Sequence, residues 1–328
     1  MYRDLKEQGF SLVELMISMV LMLLIMAAVL SLFVSSKAVY RTDSEFARIQ
    51  ENGRYAIDVL QRSIRMAGYS GCRTLMSIAP TIIANNPPDF ASIEDAIEGW
   101  DSGSGWANPT GIAHVAGTDV IRVNFAAGVG TKLDGDMATN NANIVVNGNP
   151  DQLQAGDLVY ITDCQSADLF RATSVSQSSG QYTIAHGSSA NTTDNLSKAY
   201  PESAQLMAFE SSLYFIGLNP SGIPALYWLD LDSANPAVEL VSGVQDMQLI
   251  YEVDTNGDLV PDDFRDAGAV TDWGSVLGVR IGMLLRTENN VGAEAQAITF
   301  NGVDGNPSGD LRLRKAFWSS VGVRNRLP

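Results

Sequence analysis

Three groups of side chains in this 328-residue chain have the type and spacing to do chemistry. The first is a single carboxylate, Glu14, near the start of a run from Phe10 to Val34 that holds no other ionisable group. A charge placed in such a run costs roughly 2.5 kcal/mol or more if the run enters a bilayer, so it asks for a partner of opposite sign. The second is "DTNGDLVPDD", residues 254–263. Asp254, Asn256 and Asp258 offer an oxygen at every second position, with the carbonyl of Val260 and the carboxylates of Asp262 and Asp263 beyond. Hard oxygen ligands in that spacing are what a calcium loop supplies. The stretch departs from an EF-hand loop at position six, where Leu259 replaces glycine, and at position twelve, where Arg265 replaces a bidentate acid. A hairpin turn with "NGD" at its tip is the competing expectation.

The third group is the cysteine pair, Cys72 and Cys164. Two thiols cannot make a four-thiolate zinc site, and no CxxC occurs. Beyond a membrane span an even count points to one disulfide in an oxidising compartment, with buried free thiols as the alternative. Nothing else assembles into a catalytic constellation. His114 and His186 lie far apart in sequence, and the chain has no HExxH, no GxSxG and no glycine-rich phosphate loop. "GSG" at 103–105 reads as a turn. The expectation is a protein that is not an enzyme.

These groups need elements to position them. Twenty-five residues from Phe10 to Val34 make about 37 Å of helix, enough to cross a bilayer and too long for an ordinary secretory core. A small-x-small site at Ser36-Lys37-Ala38 leaves cleaved secretion as a minor alternative. Past the run, Phe46, Ile49, Gly53, Ala56, Leu60, Ser63 and Ala67 recur three or four apart and form one face. Arg41 with Glu45, Arg54 with Asp58 and Asp58 with Arg62 are i,i+4 pairs on the opposite side. No proline appears before Pro80, and Gly68 suits a left-handed cap. One helix is therefore expected over residues 10–67, apolar all round to residue 34 and amphipathic after it. Met16, Met19, Met22 and Met26 give it an adaptable packing stripe.

The rest, residues 68–328, reads as β. Clusters such as "ANNPPD" and "DSGSGWANPTG" predict long loops over 76–156, interrupted by strands at 119–125 and 143–147. Trp100 and Trp106 flank one loop and are expected to tuck back on the domain. Strand signals then recur from "DLVYITD" through "LMAFESSLYFIGL" and "VLGVRIGMLLRT" to "LRLRKAFWSSVGV". The fold class is α+β: a long helix carrying a mostly antiparallel β-domain.

Charge bounds the partners. The net charge is −16. Residues 1–68 are near neutral, residues 69–309 carry eight Lys/Arg against twenty-nine Asp/Glu, and the last eighteen carry five basic groups and no acid. So acidic a body repels phosphate backbones, which excludes nucleic acid as the expected partner.

The start, Met1 to Gly9 followed by "FSLVELM", resembles a type IV prepilin. "QENGRYAIDVLQRSIRMAGYSGC" at 50–72, "ITDCQSADLF" at 161–170 and the closing "RKAFWSSVGVRN" resemble the PilW-type minor pilins. The resemblance is strong over residues 8–72 and patchy afterwards, and 76–156 lies outside it. It implies cleavage after Gly9 by a prepilin peptidase and N-methylation of Phe10. It also implies pairing of Glu14 with the amino terminus of a neighbouring subunit. The implied role is a minor pilin that primes assembly with other minor pilins and the major pilin, without a cofactor beyond the candidate Ca²⁺. A pseudopilin of type II secretion and a pilin-anchored binding protein or adhesin are the alternatives. The implied topology is single-pass in the inner membrane, N-terminus cytoplasmic and the acidic domain periplasmic, before entry into the pilus. Positive charges alone argue the reverse, since Arg3 and Lys6 face Lys37, Arg41 and Arg48. The processing implied by the prepilin-like start decides the expectation. An ordinary signal anchor with one tolerated polar residue is the plainer alternative.

Overall fold

The computed structural model describes residues 11–71, 79–85, 96–233, 235–304 and 309–326. It is α+β. One helix, Leu12–Met66, carries sheets that are antiparallel except where Thr81–Ile82 pairs with Ala167–Arg171. The helix starts at Ser11, whose backbone is extended and whose N–H donates to Glu14 Oε2 at 3.5 Å. That reciprocal arrangement satisfies a donor the first turn leaves orphaned. The helix ends where Ala67 turns extended and Gly68 adopts φ +70°, the conformation that favours glycine. Asn325 Nδ2 then donates to the carbonyls of Met66 and Ala67, at 3.3 and 3.0 Å, so the carboxy-terminal segment caps the helix.

The helix has two halves with different surroundings. Ser11 to Arg41 is exposed throughout, including every apolar side chain of the run. Beyond it, Ile49, Gly53, Ala56, Leu60 and Ile64 are buried. The predicted face is therefore right except at Phe46 and Ser63, which are only half-buried; Ser63 bonds the Tyr214 hydroxyl at 2.6 Å, and its neighbour Ile64 is the buried residue. Of the i,i+4 pairs, Asp58 and Arg62 form an ion pair.

This half lies on a four-stranded antiparallel sheet in the order Asp263–Arg265, Val244–Val253, Val276–Arg286, Arg314–Gly322. Leu249, Tyr251, Val279, Ile281, Met283 and Val321 face the helix and form one core with it. A larger eight-stranded sheet completes that core through Ile121, Val123, Tyr214 and Ile216. Its hub is Gln205–Leu218, which pairs along one edge with Val120–Lys132 and along the other with Leu158–Thr162 and Pro224–Asp230.

Within 76–156 the two expected strands are present, as Ile144–Val146 of a three-stranded sheet and as Val120–Lys132 of the large one, which runs seven residues beyond the expected 125. The loop expectation needs correction at Ile97–Trp100, a further strand of the large sheet. The pairing is long-range, so its partners are invisible to local turn signals. Trp106 does tuck back, with its ring 5.2 Å from Phe215 and 5.4 Å from His114.

Candidate functional site

Gly9 and Phe10, the expected processing positions, lie outside the described residues. Glu14 is described. It sits in the first turn of the helix, exposed, with its carboxylate turned back to the Ser11 N–H. Its backbone carbonyl accepts from Ser18 Oγ at 2.7 Å. The first buried helix residue is Ile49, roughly 50 Å further along the axis. Glu14 therefore takes no part in holding the β-domain together. It and the bare apolar half around it form a surface that the chain itself leaves uncovered. A helix half this apolar, broken between Leu12 and Val34 only by Glu14, Ser18 and Ser31, cannot stand bare in water, so lipid or other helices must cover it.

The acidic stretch folds into a tight loop between Val244–Val253 and Asp263–Arg265. Asp254, Asp258 and Asp262 bring carboxylate oxygens within 4.8 Å of one another. Asp254 is buried and accepts from the backbone N–H groups of Gly257 at 2.7 Å, Leu259 at 2.9 Å and Asn256 at 3.0 Å. Desolvation pushes its carboxyl up, but those donors together outweigh it and hold the pKa below the ordinary carboxylate value. Asn256 Oδ1 accepts from Asp258 N–H, while its amide donates to Asp262 Oδ1 at 3.2 Å. Leu259 adopts φ +63°, the left-handed backbone for which an EF-hand loop reserves glycine at this position. The departure noted in sequence is thus one of side chain, not of backbone path.

Asp263 falls outside this cluster: it is turned to its own strand, where Arg265 Nε donates to it at 2.8 Å and draws its pKa down. Val260 N–H donates to Asp258 Oδ1 at 2.9 Å. Three carboxylates meet here, and a hard divalent cation is the species their chemistry suits.

Cys164 occupies a turn at φ +69° between Leu158–Thr162 and Ala167–Arg171, where its N–H donates to Thr162 Oγ1 at 3.1 Å. Cys72 lies outside the described residues. Gly71, just before it, lies against Thr162; a Cβ there would be 3.4 Å from Thr162 Cγ2.

The histidines serve different cores. His114 bonds Thr118 Oγ1 at 3.0 Å, and burial lowers its pKa. His186 bonds the Ala142 carbonyl at 3.0 Å and packs on Phe170. Sequence reasoning gave no warning of Asp119, whose carboxyl is buried between the N–H groups of Ser102 and Leu249, both at 2.8 Å. Desolvation pushes its pKa up to about 7. It ties the Asp101–Gly103 turn to the four-stranded sheet.

Residues 4–30 match the family model for the prokaryotic N-terminal methylation motif. That match, on a helix half bare and half built into a β-domain, supports a type IV pilin-like protein. Residues 213–325 match the model for PilW, type IV pilus-assembly protein W. They span the second half of the hub strand, the four-stranded sheet and the carboxy-terminal cap. No curated protein and no solved structure gives a match. Families of this kind are generally structural, and their members work among pilus subunits. The apolar helix and the methylation motif are consistent with membrane anchoring and a pilus.

Proposed function

We propose that this chain is a minor pilin of the PilW type, a structural subunit that primes assembly of a type IV pilus. One observation carries the reading. The helix is uncovered to Arg41 and locked into the β-domain from Ile49 to Ala67, so a single rigid body presents a bare apolar rod. Such a rod suits storage in a bilayer and later packing against other pilin helices. In the precursor it would cross the inner membrane with the leader, residues 1–9, in the cytoplasm and the acidic domain, 68–328, outside. Glu14 would pair with the amine of a neighbouring subunit's first residue.

The test is mass spectrometry of the mature amino terminus. Cleavage after Gly9 and a methylated Phe10 are expected, and Gly9→Val should block both by placing a branched side chain at the scissile bond. A terminus near Val39 would show ordinary signal-peptidase cleavage and sink the reading. Gene deletion then separates roles: lost pili favour assembly, whereas retained pili with lost attachment favour an adhesin. A type II secretion pseudopilin would leave pili intact and stop secretion.

A further inference from the structure

The strand Arg314–Gly322 is an edge of the four-stranded sheet. It pairs with Val276–Arg286 through nine residues without a register shift and contains no proline. Val323 N–H donates to the Leu277 carbonyl, so in this register the odd-numbered residues bond the inner neighbour. The backbone groups of Ala316, Trp318 and Ser320 therefore point away from the sheet. Among the described residues they have no hydrogen-bond partner, although Gln296 Oε1 caps the outward N–H of Arg314 at 2.6 Å. Proteins usually blunt such an edge with a bulge, a proline or a cover.

Beside the edge runs a groove of about 1000 Å³ between strand and helix, lined by Gln50, Arg54, Tyr55, Gln61, Lys315 and Trp318, among others. Tyr55 and Trp318 are each 49% exposed. Charge separates this place from the rest of the domain. The groove carries Arg54 and Lys315 against Glu51 and Asp58, and Asp58 is already paired with Arg62. The body elsewhere is strongly acidic.

We propose that this edge and groove receive an extended, acidic strand from a different pilus subunit, added to the sheet beside Arg314–Gly322. Main-chain bonds to Ala316, Trp318 and Ser320 would hold it, its helix-side side chains would lie on Tyr55, and those on the opposite face would lie beside Trp318, whose ring packs on Phe300 there. Antiparallel pairing of this edge with a second copy of the chain does not fit. Lys315 sits over Phe46, Phe317 lies on Gly53, Ser319 bonds Gln61, and Asn325 caps Ala67. Helix and strand thus run in the same direction. Antiparallel self-pairing of the edge would point the second helix the opposite way, which two chains anchored in one membrane cannot do. Two domains this acidic also repel each other. This exclusion rests on the pilin reading.

The test is photo-crosslinking in piliated cells with full-length protein carrying benzoylphenylalanine in place of Tyr55 or Trp318. Asn195, exposed on another part of the domain, is the control position. Adducts are expected from Tyr55 and Trp318 but not from Asn195, with the captured peptide an acidic strand of a different subunit. Ser320→Pro removes an outward N–H that the fold does not use, and should cut the adduct at least tenfold with an unchanged unfolding temperature. Should that variant fail to fold, Arg54→Glu on the exposed helix face should cut it several-fold, and Arg54→Lys should restore it. Adducts to a second copy, adducts no stronger than at Asn195, or adducts undiminished in both variants would overturn the proposal. The amino terminus is read on the same sample. A methylated Phe10 without adducts sinks the edge and spares the pilin reading; adducts in a chain that keeps Met1 to Gly9 do the reverse.

Discussion

Glu14 is a charge on a helix half that an assembly would cover. Among the described residues its carboxylate meets the Ser11 N–H, at 3.5 Å. Once lipid or neighbouring helices cover the rod, that weak contact cannot offset the cost of a buried charge, and an amine from another subunit can. Glu14→Ala should leave the unfolding temperature of the β-domain unchanged, because the buried half of the helix begins about 50 Å away. Incorporation into pili should fall sharply, as immunoblots of sheared pili would show. Normal incorporation of the variant would dismiss the charge-pairing account. The acidic loop makes a second test at this scale. If Asp254, Asp258 and Asp262 hold Ca²⁺, thermal unfolding should shift upward with millimolar Ca²⁺ relative to chelator. A site with Kd near 10⁻⁴ to 10⁻³ M at tenfold excess gives about 1.4 kcal/mol. Asp254→Ala with Asp258→Ala should abolish the shift. No shift in the unaltered protein would leave the stretch as a turn held by Asp254.

At the scale of elements, the contact that sets helix on sheet is Gly53. A Cβ there would lie 2.3 Å from Cε2 of Phe317, so the ring occupies the space a side chain would need. The helix pays for this in propensity, since glycine costs about 1 kcal/mol relative to alanine in a helix interior. Gly53→Ala should nevertheless destabilise the domain, because overpacking costs about 1–3 kcal/mol and the helix cannot lift without exposing Ile49, Ala56 and Leu60. Denaturant unfolding of Gly53→Ala, Phe317→Leu and the double variant reads the coupling. The double variant should be more stable than the sum of the two single losses predicts. Strict additivity would mean that the ring and the glycine do not meet.

For the whole molecule, the question is what makes rod and domain one body. The buried helix face supplies most of the answer, the Asn325 cap adds to it, and a Cys72–Cys164 disulfide would add a covalent tie. The contact of Gly71 with Thr162 favours that pairing, because each lies one or two residues from its cysteine. With 91 residues between its ends, the bridge would stabilise by about 4 to 5 kcal/mol in the chain-entropy model. Thiol labelling of exported, denatured, unreduced protein should find no reactive cysteine. Two labelled thiols would refute the bridge.

The amino-acid sequence by itself determined the long helix, its passage from an apolar to an amphipathic half and the buried positions Ile49, Gly53, Ala56 and Leu60. Helical spacing is a local property, and a long, predominantly apolar run admits few other structures. It also marked most strands after residue 157, where β-branched and aromatic residues cluster between turn signals. Tertiary structure alone decided the rest. Ile97–Trp100 and the length of Val120–Lys132 depend on partners far away in sequence. Asp254, Asp258 and Asp262 converge while Asp263 turns to Arg265, because the strand path after Pro261 fixes which way each side chain points. Phe317 and Gly53 meet across 264 positions of chain. The open edge at Arg314–Gly322 is likewise a matter of sheet order, and a strand's own residues do not reveal whether one neighbour or two will bond it.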